Sequence, residues 1–559
     1  MSGHVELSMT TEALKADNFG ADCIAPFVSS TVSQDFPQSE DCLFLNVYTN
    51  SDCVKKRNCP VVVYVLGGAF GVGTPRQYLP SIITDNFVSK DIVFVIPNYR
   101  LNMFASWNLH SKDFPGNLWI YDVKTALEWV QRDIMAFGGD PKRVTLMGDS
   151  SGAIVASLAT LSPLTQHLFA QAAPMSGNAV TPIIYGGTAS NASRVLAQRA
   201  GCLKEPDDWQ KPQMTAEIGR CMQRVSTAFL QKEVNDLWDS AYAPEIPIDN
   251  ELFPGSLEEL LASRPPFNLL DGVTRREFSV YYRPAPGTAA EQRIAVFRLC
   301  YEQASSFYLK PSTSIAYACA AFYQSLGLDY GGQEGEIISD ALFNIPALLD
   351  TRRNSRNGGS SFLYSFDYVA EGLDPLSEPG HASDLSFLLW HFYRNYTEAD
   401  KAVERVYATL FTDFIKYGAI AAPEVPPQGP ASYLSIGKYG AVVGSAFQQA
   451  KFQFWFQEAP SIAAAAMDWA QKKLDDLFTD GFRSWLPPAQ PLLQQASPQY
   501  FRRLASEEIE AKKDGSGTML RIVSVIFFMA AGVVLLASLA VASRYRRHYQ
   551  LLSGHDGMN

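Results

Sequence analysis

The stretch Val144-Thr145-Leu146-Met147-Gly148-Asp149-Ser150-Ser151-Gly152-Ala153 constrains the fold of this chain more than any other. An apolar, partly β-branched run ends in Gly-x-Ser-x-Gly, and a helix-compatible run from Ala153 to Leu161 follows. At this spacing the serine sits on a sharp strand-to-helix turn with its hydroxyl exposed. Only small neighbours fit such a strained turn, and Gly148 and Gly152 supply them. The following helix points free N–H groups at the serine oxygen, that of Ser151 nearest. Five residues of this kind also occur in ordinary loops. The strand before and the helix after are what give the motif meaning.

The rest of the chain alternates in the same manner. Val61 to Leu66 and Ile92 to Ile96 are short unbroken apolar runs, suited to strands buried on both faces. Glu40 to Tyr48 reads as a loop feeding a strand. Phe267 to Val273 and Phe362 to Phe366 read as strands, and Phe169 to Pro174 as a weaker one. Helical spacing runs from Leu118 to Met135 and stops at Phe137-Gly138-Gly139-Asp140-Pro141. Further helical stretches lie at Ala192 to Ala200, Leu385 to Tyr393 and Ala402 to Ile415. Strands alternating with helices predict an α/β fold, with a mostly parallel sheet covered on both faces. With 47% apolar and 18% charged residues the chain can build a sizeable core, and global disorder is not indicated. A net charge of −11, without a compact basic stripe in the soluble part, removes nucleic acid from the expected partners. No Cys-x-x-Cys and no His-rich zinc spacing occurs, so neither a metal nor a cofactor is expected.

Composition shifts at Leu486-Pro487-Pro488-Ala489-Gln490-Pro491, which opens a Pro- and Gln-rich stretch followed by a charged one. The expected division is an α/β domain over 1–485, a stalk over 486–521, a transmembrane helix over 522–542 and a cytoplasmic tail over 543–559. Ile522 to Ala542 carries no charge, and at about 1.5 Å per residue it reaches roughly 31 Å, enough to cross a bilayer. Arg544, Arg546 and Arg547 favour the cytoplasmic side beyond it, against Lys512, Lys513 and Arg521 on the near flank. Eight cysteines fall in close pairs: Cys23 and Cys42, Cys53 and Cys59, Cys202 and Cys221, Cys300 and Cys319. Local disulfides in an oxidising compartment fit this pattern. The sequons at Asn191 and Asn395 lean the same way. Met1 to Asn18 shows no signal-peptide pattern. Taken literally, that leaves a tail-anchored cytosolic protein. The paired cysteines instead favour a lumenal or extracellular domain whose leader and opening strands are missing from this sequence, which would leave a sheet edge unpaired.

A serine hydroxyl needs a base, a carboxylate to orient it, and donors for the oxyanion. In this architecture the chain order is serine, acid, histidine. Of seven histidines, His4 and His110 precede Ser150, His548 and His555 lie beyond the span, and His167 follows the elbow too closely. His381 and His391 remain. His381 follows the loop signature Glu378-Pro379-Gly380, whereas His391 sits in a helical run, so His381 is favoured. For the acid, Glu277 lies just past the strand Phe267 to Val273, with Asp271 as its rival. Gly67-Gly68-Ala69 ends a strand with bare backbone, so the N–H groups of Gly68 and Ala69, with that of Ser151, are the expected oxyanion donors.

Glu40-Asp41-Cys42-Leu43-Phe44-Leu45-Asn46, Gly67-Gly68-Ala69-Phe70, Asn98-Tyr99-Arg100, Pro115-Gly116-Asn117, Trp129-Val130, Phe137-Gly138-Gly139-Asp140-Pro141, the elbow, Gly272-Val273-Thr274-Arg275-Arg276-Glu277 and Gly380-His381-Ala382-Ser383-Asp384-Leu385 occur in that order. Together they resemble the type-B carboxylesterase and cholinesterase family of the α/β-hydrolase fold, over residues from about 23 to about 457. The resemblance implies Ser150 as nucleophile, His381 as base and Glu277 as acid. It also implies Cys23–Cys42 and Cys202–Cys221 disulfides and a structural Glu40–Arg100 ion pair, and leaves the pairing of Cys53, Cys59, Cys300 and Cys319 open. Leu66 stands where many members carry His, Ser151 replaces a usual Ala, and Phe278 a common Gly. Arg275 and Arg276 flank the acid and are candidates to compete for it. No Trp lies between Cys23 and Cys42, so a cation–π site for choline esters is not expected.

Two functions compete at this point. One is a membrane-anchored serine hydrolase that cleaves small-molecule carboxylic esters through an acyl-enzyme. The other is a neuroligin-like adhesion ectodomain without catalysis. The presence of all three site residues favours the enzyme. The loops Ala179 to Ser190 and Tyr281 to Ala290 are expected to set acyl and alcohol specificity.

Overall fold

The computed structural model describes residues 16, 18–25, 36–111, 114–182, 189–204, 211–238, 251–278, 287–307, 309–371, 378–389 and 396–466. The stalk, the 522–542 run and the tail lie outside the described residues, as do His391 and Asn395. Among the described residues no helix is long and apolar enough to cross a membrane.

Among the described residues nine strands form the main sheet: β1 (Leu45–Tyr48), β2 (Cys59–Val65), β3 (Val93–Pro97), β4 (Gly139–Asp149), β5 (Gln171–Met175), β6 (Asn268–Thr274), β7 (Ser361–Phe366), β8 (Tyr433–Gly437) and β9 (Gly440–Gly444). Their spatial order is β9-β8-β7-β6-β5-β4-β2-β3-β1. Pairing is parallel from β3 through to β8, and only the two edges, β1 on β3 and β9 on β8, are antiparallel. Every residue of β2 is buried. Successive side chains of a strand point to opposite faces, so both faces of the sheet centre are covered, as the unbroken run Val61 to Leu66 requires. The covering helices include α1 (Leu118–Asp133), α2 (Ser151–Ala159), α3 (Ala189–Arg199), α4 (Ile345–Arg356) and α5 (Glu398–Tyr417). The last is closed by a Thr397–Asp400 capping box and by Gly418 at φ 69°.

Two readings are corrected. Leu385 to Tyr393 is described only as far as Leu389, and there a 3₁₀ helix over Ser383–Phe387 stands in place of an α-helix. Leu385, Phe387, Leu388 and Leu389 are all buried, so this tight turn is sunk in the core. Arg100 does not pair with Glu40. Its guanidinium forks onto Asp122 of α1, at 2.5 and 2.8 Å, and its amide adds a third bond to the same carboxylate. Asp122 is buried beside it, whereas Glu40 stays at the surface and accepts the Thr227 hydroxyl at 2.6 Å.

Candidate active site

β4 delivers Ser150 at φ 53°, ψ −121°, a conformation that non-glycine residues rarely adopt. The turn holds because its neighbours leave no alternative. The Ser150 amide donates to the Met175 carbonyl at 2.8 Å. A Cβ at Gly148 would lie 2.6 Å from the Gly152 backbone, and one at Gly152 would strike the Val65 and Leu66 carbonyl oxygens.

The structure brings three distant side chains into line. His381 Nε2 lies 2.8 Å from Ser150 Oγ. Its Nδ1 lies 2.6 Å from Glu277 Oε2. The His381 amide also donates to the Glu277 carbonyl at 2.7 Å, and the Arg276 amide to Pro379 at 3.0 Å, so the two loops are strapped together. Glu277 is fully buried. Its second oxygen accepts the Ser176 hydroxyl at 2.6 Å and the Thr274 amide at 2.8 Å. Burial pushes the His381 imidazole down, but the charge and hydrogen bond of Glu277, with the charges of Asp149 and Asp384, hold it above its ordinary value.

Asp271, the rival acid, does not reach His381. It sits buried within β6, accepts the Asn178 amide at 3.1 Å, and is pushed well up, first by burial and then by the Asp350 charge. The flanking arginines do not compete for Glu277. Arg275 is exposed, and Arg276 turns to Glu336 at 3.0 Å and Glu378 at 3.7 Å.

Gly68 and Ala69 leave β2 beside the elbow, since Val65 and Gly148 are register partners. Gly68 has φ 129° and Ala69 φ 52°. The Gly68 carbonyl folds back to accept the Gly71 and Val72 amides, each at 3.0 Å. Asp149 fastens this loop to the elbow: its Oδ1 accepts the Gly67 amide at 2.9 Å and the Tyr64 and Tyr78 hydroxyls at 2.6 and 3.3 Å. Burial raises the Asp149 carboxyl, and those bonds oppose the rise. Ser151 opens α2, where the first N–H groups have no partner inside the helix.

Several contributors were not singled out from the sequence. Ser176 had a visible signal, a small hydroxyl residue and a glycine at the end of a strand. Phe278, noted in the sequence only as standing in place of a glycine, and Phe343 flank the imidazole with ring centroids 5.8 and 4.9 Å away. Asp384 accepts the Tyr407 hydroxyl at 2.6 Å, and burial pushes it up to about 7.

Four disulfides are formed, Cys23–Cys42, Cys53–Cys59, Cys202–Cys221 and Cys300–Cys319, which completes the pairing left open by the sequence. Among the described residues the one cluster of metal-ligating types is Cys53, Cys59 and Asp91, and both cysteines are spent in a disulfide. Asn191 is exposed in the first turn of α3.

A mostly parallel sheet with a serine at a strand–turn–helix junction and an imidazole in hydrogen-bond reach places the protein among hydrolases of α/β architecture. The family model described as "Carboxylesterase family" matches residues 7–455. The chain belongs to this family, and its class of reaction is the hydrolysis of carboxylic esters. It is 29% identical over 456 residues to an acylcarnitine hydrolase of Mus musculus, covering 76% of each chain. It is 27% identical over 413 residues to esterase cest-33 of Caenorhabditis elegans, covering 68% of this chain and 71% of the relative. It is 30% identical over 358 residues to carboxylesterase 1E of Mus musculus, covering 59% and 60%.

Proposed function

We propose that Ser150 is the nucleophile, His381 the general base and Glu277 the acid of an ester hydrolase that works through an acyl-enzyme. The observation that carries this is the continuous line from Ser150 Oγ through both imidazole nitrogens to Glu277 Oε2, at 2.8 and 2.6 Å. Glu277 holds Nδ1 protonated, so Nε2 keeps its lone pair for the serine proton. The hydroxyl oxygen attacks the ester carbonyl, and the proton passes to Nε2. The tetrahedral intermediate places its oxyanion at the N–H groups of Gly68, Ala69 and Ser151. His381 then returns the proton to the departing alkoxide. Water, deprotonated by the same nitrogen, releases the acid and restores Ser150.

The reading extends to location. The apolar run 522–542 tethers the domain to a membrane, and four local disulfides favour a lumenal or extracellular face for it. Protease protection of sealed microsomes from cells expressing the chain distinguishes this face from the cytosolic one. Chemistry is tested with a fluorophosphonate probe, which labels the parent and fails on Ser150→Ala. A folded parent that takes no label would refute the nucleophile. A panel of esters that includes an acylcarnitine reads out acyl and alcohol preference.

A further inference from the structure

The buried Lys451 takes no part in the chemistry described above, yet it stands at the junction of two paths to the imidazole. It lies in the short helix Gln449–Gln453, near the end of the described chain, with 8% of its surface exposed. Its amine bonds the Glu336 carboxylate and, at 2.9 Å, Asp340 Oδ1. Glu336 belongs to the helix Tyr330–Ser339, and Asp340 opens the π-helical turn Asp340–Asn344 that continues it. Turns of this kind are uncommon and concentrate at functional sites.

The first path runs through Glu336. Its other oxygen accepts Arg276 Nη1 at 3.0 Å, and Arg276 Nε sits 3.7 Å from Glu378. Arg276 precedes the acid Glu277, and Glu378 lies three residues before the base. One guanidinium therefore ties the acid loop to the base loop, and Glu336 holds that guanidinium in place. The second path runs through Asp340, whose Oδ2 accepts the Tyr323 hydroxyl at 2.7 Å and whose Oδ1 also accepts the Asn344 amide at 2.7 Å. The turn so fixed presents Phe343 to His381 at 4.9 Å and stacks it on Phe278 at 5.5 Å between centroids. The Phe278 amide donates to Ser339 Oγ at 2.9 Å, at the head of the same turn.

Two buried carboxylates four residues apart repel one another, and one would take up a proton without a shared cation. Lys451 is that cation. Without it Asp340 loses the cation that fixes the turn beneath Phe343, and Glu336 loses the one that anchors it under Arg276. We propose that Lys451 is a positioning residue for the acid–base pair, acting through Glu336 on Arg276 and through Asp340 on Phe343. This rests on the Ser150–His381–Glu277 reading.

The test measures kcat and KM for p-nitrophenyl acetate with the full chain and with Lys451→Met, Glu336→Gln, Arg276→Gln, the Lys451→Met/Arg276→Gln double variant and Ser150→Ala. A displacement of about 1 Å costs about 10²-fold in rate. Lys451→Met and Glu336→Gln are thus expected to lose about 10- to 100-fold in kcat with KM within about threefold. If the residues act in series, the double variant falls no lower than the weaker single. Wild-type kcat in Lys451→Met, or losses that multiply in the double variant, would overturn the proposal. Should Lys451→Met fail to fold, Glu336→Gln decides alone, and its retention of full kcat is the overturning result. Turnover surviving in Ser150→Ala would overturn the triad reading and the relay with it, whereas an inactive Ser150→Ala beside a fully active Lys451→Met would remove the relay alone.

Discussion

Glu277→Gln tests the reading of the site most sharply, because the isostere should keep the geometry and reverse one proton. Glu277 Oε1 accepts two donors, the Ser176 hydroxyl at 2.6 Å and the Thr274 amide at 2.8 Å, while Oε2 faces His381 Nδ1 at 2.6 Å. A glutamine must keep its oxygen on the side of the two donors, which leaves its NH₂ facing Nδ1. The imidazole then moves its proton to Nε2 and presents an N–H to Ser150, where it cannot accept the serine proton. Turning the amide over would leave two buried donors unpaired, at about 1–3 kcal/mol each, or about 2–6 kcal/mol together. At about 1.4 kcal/mol per tenfold, the competent tautomer falls by about 30-fold to about 2 × 10⁴-fold. Support for the imidazolium in the transition state is lost as well, so kcat is expected to fall by about 10³–10⁴-fold. KM and the melting temperature should stay close to those of the parent, since both hydrogen bonds to the side-chain oxygen survive. Steady-state kinetics with p-nitrophenyl acetate and the rate of fluorophosphonate labelling read the effect. A Glu277→Gln protein within about tenfold of the parent in kcat would refute the argument.

Further outcomes follow from the same geometry. His381 is basic only when neutral and its value is raised above 6.5, so kcat/KM should fall as pH drops through a limb lying above 6.5; a limb below it would contradict the Glu277 contact. Asp384 carries its proton up to about 7 in the fold against 3.8 ordinarily, so the native state binds a proton that the unfolded chain has lost and stability declines as pH rises through that window. Asp384→Asn should therefore gain in melting temperature on the parent between about pH 5 and pH 8, which thermal melts at both pH values check. Replacing Cys300 and Cys319 by serine opens a link across a sequence separation of 19 and should cost about 3 kcal/mol in denaturant unfolding. Gly152→Ala drives a Cβ into the Val65 and Leu66 carbonyl oxygens, which no rotamer relieves, and should cost at least about 10²-fold in labelling rate.

What could be read from the sequence follows from where each signal is stored. β2 and β3 were legible because a strand covered on both faces must be apolar at every position, as Val61 to Val65 and Val93 to Ile96 are. The elbow was legible because its steric demands fall on residues adjacent in the chain. His381 became the candidate base through scarcity, since seven histidines leave few to choose from. Glu277 could not be separated from Asp271 by its surroundings in sequence, because both are carboxylates near one strand end. What separates them is Ser176, 101 residues away, and His381, 104 residues away. The Glu40–Arg100 pair failed for the same reason. An arginine's carboxylate is chosen by burial and angle of approach, and Asp122, buried one helix away, offers both oxygens at once.

The least legible part is the most informative about how the site is held. Nothing in Ala450-Lys451-Phe452 distinguishes that lysine from one that reaches solvent. Its meaning depends on Glu336, 115 residues earlier, and on Asp340, 111 residues earlier, both sealed from water. Burial of two acids and one amine is costly unless each is bonded, and here each is. A hydrophobic triad would avoid that desolvation cost, but it would take from Arg276 Nη1, the Tyr323 hydroxyl and the Asn344 amide the carboxylates they bond. The ionic cluster is therefore better understood as fixing where the acid and base loops sit than as adding to stability. On that argument an apolar replacement of Glu336, Asp340 and Lys451 together should give a protein slower in kcat. Recovery of full kcat in such a triple variant would show that packing alone positions the site.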